Sequence, residues 1–142
     1  MIRPNFTSMP HKRIAVLAAA YFVASLAHFT HNAEYIAFYP GMPAWLTRET
    51  VYLAWIGVTS VGLAALVLFR LGAITAAAVL LGAYGALGLD GLAHYTLALC
   101  SEHTVLANIT IGSEAISGLS LLIASALIIA RRTFPGPRVR HG

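Results

Sequence analysis

Glu114 stands eleven residues beyond His103 in an otherwise apolar stretch. At 1.5 Å per helical residue that is about 16 Å, near the middle of a hydrocarbon layer if the stretch crosses one. Eleven residues make almost three turns, so His103, Ala107, Thr110 and Glu114 share a face small and polar enough to line a cavity. Asp90 and His94 are spaced i, i+4, which stacks them on one side of a helix. Such a pair can give two ligands to one ion, or the carboxylate can fix the tautomer of the imidazole and raise its basicity. In LAHFTHNAEYIAFYP, residues 26–40, His28 and His31 are spaced i, i+3 and Glu34 follows three later. They spiral along one flank of a helix that runs on towards Pro40, where it must end or kink.

These residue types suit several chemistries. Imidazole and carboxylate ligation by His28, Asp90, His94 and Glu114, with His31 and His103 next, fits zinc, iron, manganese or copper. His28 and His94 as a pair fit the axial positions of a haem. Without a cofactor, Glu114, Asp90 and His94 can divide acid and base roles on a lipid, as an isomerase would. Proton or ion movement along the same face lacks an ionisable continuation in the other half of the segments. The leading expectation is a bound transition metal ion or haem that serves redox or metal-dependent chemistry on a lipophilic molecule.

The elements that must position these groups are apolar helices. Of the 142 residues, 58% are hydrophobic and only 10% charged, whereas globular proteins average about 25% charged residues. Mean hydropathy is +0.77. A chain with so little polar surface is at home in a lipid bilayer, and four apolar segments are each near the roughly 20 residues that cross one. An ionisable group at the centre of such a helix costs about 2.5–3.5 kcal/mol on insertion scales, so these groups face the interior and have partners.

The expected fold is an all-α integral membrane protein, one four-helix transmembrane domain over residues 1–142. Its helices fall at about 13–36, 50–69, 71–99 and 103–130, followed by a basic tail at 131–142. Basic residues lie at Arg3, Lys12 and Arg13, at Arg70, and at Arg131, Arg132, Arg138 and Arg140, with only Arg48 elsewhere. By the positive-inside rule both termini and the middle connection are cytoplasmic, as in a bacterial inner membrane. All five acids, with His28, His31, His94 and His103, then fall in the outer half or the outer loops. The first segment also fits a secretory signal, with Lys12 and Arg13 as its basic region.

A partner for that segment later in the chain weighs against the signal reading. LAHFT at 26–30 recurs as LAHYT at 92–96, which makes a duplicated two-helix unit an open alternative with His28 and His94 as counterparts. Gly82, Gly85, Gly88 and Gly91, at intervals of three, read as a close packing seam. FRLGA at 69–73 allows only a tight hairpin, and the aromatic residues between Tyr35 and Trp55 read as an interfacial belt. Cys100, alone, reads as a free buried thiol. Asn5-Phe6-Thr7 and Asn108-Ile109-Thr110 match the glycosylation pattern, one on the cytoplasmic side and one within a helix. No GxSxG, HExxH, phosphate loop or CxxC is present, which leaves hydrolase triads, zincins and nucleotide enzymes without support. The expected partners are the bilayer and a lipophilic small molecule, with self-association or a larger membrane complex as further options and nucleic acid excluded.

Overall fold

The computed structural model describes residues 8–134, with side chains from Lys12 onward. Arg3, Arg138, Arg140 and the Asn5 sequon lie outside the described residues. The described chain is all-helical. Four helical segments, Lys12–Glu34, Arg48–Arg70, Ile74–Leu97 and Val105–Thr133, are long and apolar enough to cross a membrane. Each expected helix is present, with shifted ends and one change of character.

Helix α1 spans Ser8–Glu34 and stops two residues short of the expected end. A single 3-10 turn, Ile36–Phe38, follows, and Pro40 and Gly41, the latter at φ 72°, turn the chain away. Helix α2, Arg48–Arg70, begins on Thr47, whose hydroxyl accepts the Thr50 amide at 3.3 Å. It ends in the expected hairpin, where Gly72 takes φ 79°.

The third segment departs from a uniform helix. Helix α3, Ile74–Leu87, gives way to a 3-10 turn at Asp90–Ala93 and then to a short helix α4, His94–Leu97. Its amides switch to carbonyls three residues back, Gly88 to Gly85 at 3.2 Å and Leu92 to Leu89 at 3.0 Å. A Cβ at Gly88 would stand 2.6 Å from the Tyr21 ring, so the chain passes too close to α1 for any other residue here. Helix α5, Val105–Thr133, is capped by the Thr104 hydroxyl accepting the Ala107 amide at 3.1 Å. His103 therefore precedes the helix.

Consecutive helices alternate in direction and pack as a closed ring, α1 on α2, α2 on α3, α3 on α5 and α5 back on α1. The α3 and α5 backbones meet at Gly85 and Gly118. A Cβ on Gly85 would lie 2.6 Å from the Gly118 carbonyl oxygen, which explains the glycine seam as helix contact. Tyr21, Tyr84 and Leu121 fill the middle, the two tyrosine rings 4.4 Å apart between centroids. Lys12, Arg13, Arg70, Arg131 and Arg132 mark a basic end of the bundle, and His28, His31, His94 and His103 mark the other. Cys100 sits in the loop at the histidine end and is exposed, which corrects the buried reading. Its segment is short of apolar cover because it belongs to a 3-10 turn outside the packed helices.

Candidate functional site

Four residues at helical spacing, Tyr21, Ser25, His28 and Asn32, form a buried polar line along α1. Opposite them, α5 presents Thr110 and Glu114, also buried. His28 Nε2 stands 3.6 Å from Glu114 Oε2, with side-chain exposures of 3% and 2%. Gly91 borders this pair. A Cβ there would come within 3.1 Å of Glu114 Oε2, so the absence of a side chain leaves room for the carboxylate.

The hydrogen bonds assign the ring protons. Thr110 Oγ1 donates to the Ala107 carbonyl at 2.9 Å, which leaves its lone pairs for His28 Nδ1 at 3.4 Å. His28 Nδ1 thus carries a hydrogen, and Nε2 of the neutral ring is a bare acceptor facing Glu114. Asn32 Nδ2 donates to His94 Nε2 at 3.4 Å, which puts the His94 hydrogen on Nδ1, where it makes no hydrogen bond. His103 Nδ1 donates to the Leu99 carbonyl at 3.0 Å and leaves its Nε2 unpaired. Asn32 Oδ1 and Glu114 Oε1 also make no hydrogen bond, although the Ser25 hydroxyl lies close to Glu114.

His28, His94 and His103 form a chain of rings from the bundle interior towards the histidine end. The His28 and His94 centroids are 5.5 Å apart, and those of His94 and His103 are 6.1 Å apart. Tyr39, returned towards the bundle by the 3-10 turn Ile36–Phe38, lies 5.0 Å from His94 and bonds to His31 Nδ1 through its hydroxyl at 2.7 Å. Burial, partly offset by a hydrogen bond with Thr110, pushes the Tyr39 phenol up to about 12, so it stays neutral at physiological pH.

A cavity of about 230 Å³ opens beside these groups, under the loop at Met42–Leu46. His28, Asn32, Asp90, His94 and Glu114 all line it. All four residues expected at the core therefore reach one space, but not as an i, i+4 stack of Asp90 on His94. At three residues per turn, positions four apart point about 120° away from each other, against about 40° in an α-helix. Asp90 is accordingly exposed while His94 is buried, and Asn32, not Asp90, holds the His94 ring. His31 is only partly buried and reaches the site through Tyr39. Glu34 pairs with Arg48 at 2.7 Å and with the Tyr52 hydroxyl at 2.8 Å, and Glu102 accepts the Leu99 amide at 2.6 Å. These two carboxylates serve the local architecture.

Among the described residues, no three His, Cys, Asp or Glu side chains converge closely enough to hold one metal ion. The His28 and His94 rings touch edge to face at 76°, closer than axial ligands on opposite sides of one porphyrin. The arrangement is rich in unpaired donors and acceptors and holds a carboxyl and an imidazole within a short shift of sharing a proton. Asn32 and Tyr39 are the residues that sequence reasoning missed. The spacing 21, 25, 28, 32 carried the signal for Asn32; nothing local marked Tyr39. No family model, characterised protein or solved structure matches the chain.

Proposed function

We propose that the chain is an integral membrane protein, both termini cytoplasmic, whose His28 and Glu114 transfer protons to and from a lipophilic molecule entering from the outer half of a bacterial inner membrane. The observation that carries this reading is the buried Glu114 Oε2 to His28 Nε2 approach of 3.6 Å on the wall of a cavity that Asn32, Asp90 and His94 also line. Thr110 supports it by setting the His28 tautomer, so one proton between Nε2 and Oε2 completes the pair. A carboxyl and an imidazole so placed can deliver a proton to one carbon of a bound molecule and take one from another, as in migration of a double bond. The proton count is unchanged across such a step, and no electron acceptor is required. Asn32 and His94 would hold a polar group of the substrate. The placement of Lys12, Arg13, Arg70, Arg131 and Arg132 at the opposite end of the bundle supports the orientation. The meeting of His28 with His94 is compatible with descent from a duplicated unit.

A mixture of lipids can stand in for a single chosen substrate. Purified protein is incubated with a bacterial lipid extract in deuterated water, with and without chelator, and the lipids are analysed by mass spectrometry. Deuterium enters one lipid class, survives chelation, and falls to background with Glu114→Gln and with His28→Gln. Lipids without deuterium would overturn the proposal. Exchange abolished by chelator, with metal found by elemental analysis, would replace it with the metal-dependent reading.

A further inference from the structure

A second cavity, of about 340 Å³, lies along the same seam between α1, α2 and α3, towards the basic end. Its wall is almost wholly apolar: Ala18 and Phe22 from α1, Leu63 and Leu66 from α2, Ala78 and Leu81 from α3. The polar cavity uses the next turns of the same three elements, at Phe29, Val51 and Leu87. Between the two in register stands Trp55, its ring 5.6 Å from Phe22 and its indole N–H without a hydrogen bond. From Ala18 to His28 is ten helical residues, about 15 Å, the reach of a long alkyl chain.

Charge at the polar cavity has one sign. Asp90 and Glu114 line it and no Lys or Arg does. Arg48, the only Lys or Arg in the described part of that half, is held by Glu34 at 2.7 Å. An anionic head would meet carboxylates with no cation to offset them. An ammonium would find Asp90, Glu114 and the Asn32 amide along the cavity wall.

The geometry points to a single-chain lipophilic amine as the ligand, its ammonium at Glu114 and Asp90 and its alkyl tail past Trp55 in the apolar cavity. This names the ligand class of the site proposed above and rests on that reading only for the head position. The two cavities are one slot interrupted by the Phe22 and Trp55 rings, which part to admit the chain. The tail cavity explains why small residues, Ala18, Ala77 and Ala78, line a seam where larger ones would close the packing.

The chain has two tryptophans, so Trp45→Phe leaves Trp55 as the only indole. That variant, in detergent micelles, is titrated with a long-chain alkylamine brominated at its tail, since bromine quenches an indole it touches. Saturable quenching is expected, competed by the unbrominated amine. The alcohol of equal length should compete roughly tenfold more weakly, as loss of one charge-assisted hydrogen bond implies, and the carboxylate not measurably. Glu114→Gln should weaken the preference for amine over alcohol, and Glu114→Gln with Asp90→Asn should erase it. Ala78→Phe, which fills the tail cavity and leaves the head site intact, should reduce the long amine to the affinity of hexylamine. Equal competition by the carboxylate or the alcohol overturns the head assignment, and unchanged binding in Ala78→Phe overturns the tail assignment. The readout is binding alone. Quenching without deuterium exchange would therefore uphold the ligand and refute the proton transfer, and exchange without quenching would do the reverse.

Discussion

At the scale of single residues, the site is governed by which nitrogen carries the hydrogen. His28, His94 and His103 each keep it on Nδ1, set by Thr110, Asn32 and the Leu99 carbonyl in turn. Nitrogen NMR on histidine-labelled protein should therefore show a hydrogen on Nδ1 in these three of the six rings, and Asn32→Ala should change the His94 signal alone. A set of Nε2–H tautomers would remove the basis for the His28 and Glu114 pair. Tyr39 offers a test by pH. Its folded value is raised to about 12, so the stability it contributes is complete below the ordinary phenol value of about 10 and is lost as pH rises through 12. The melting temperature of the wild type should thus fall more steeply over that window than that of Tyr39→Phe, measured by circular dichroism. Tyr39 was not recognisable from the sequence, because its place depends on the 3-10 turn that follows α1. Asn32 was recognisable, and the polar spacing along α1 is the sign by which such a face is found.

At the scale of elements, two glycines separate packing from chemistry. At Gly85 a methyl group would strike the Gly118 oxygen at 2.6 Å and the Leu122 amide nitrogen at 2.9 Å, backbone that cannot step aside. Gly85→Ala should cost about 1–3 kcal/mol, read as a lower melting temperature. At Gly91 a methyl would meet the end of the Glu114 side chain at 3.1 Å, which can give by a few tenths of an ångström. Gly91→Ala should keep its melting temperature and lose lipid exchange; a variant that unfolds instead would make Gly91 a packing residue. The break after Leu87 belongs to the same scale. Its glycines were plain in the sequence, but their spacing also fits a straight helix. In the structure Gly88 lies against the Tyr21 ring where the turn tightens, and the tighter turn separates Asp90 from His94.

At the scale of the molecule, the bundle is polarised, with Lys12, Arg13, Arg70, Arg131 and Arg132 at one end and the five acids with His28, His31, His94 and His103 in the other half. Cys100, exposed in a loop at the histidine end, reports on orientation. In intact bacterial cells a membrane-impermeant maleimide should label it without permeabilisation. In a Cys100→Ser background, Thr133→Cys should react only after the cells are opened. The reverse pattern would invert the bundle and place the cavity on the cytoplasmic side.

The amino-acid sequence by itself determined that there would be four long apolar helices, where their charged ends lie, and that Glu114, His28, Asp90 and His94 belong to one half of the bundle's length. Length, apolarity and charge are sums over neighbouring residues, so they are legible without a fold. Only the tertiary structure decided that His28 meets Glu114, that Asn32 rather than Asp90 orients His94, that Tyr39 enters the site, and that a separate apolar cavity lies towards the basic end. Each of these is a distance between side chains on different elements. Such distances follow from helix rotation and close approach at Gly85, Gly88 and Gly118, which no local pattern encodes.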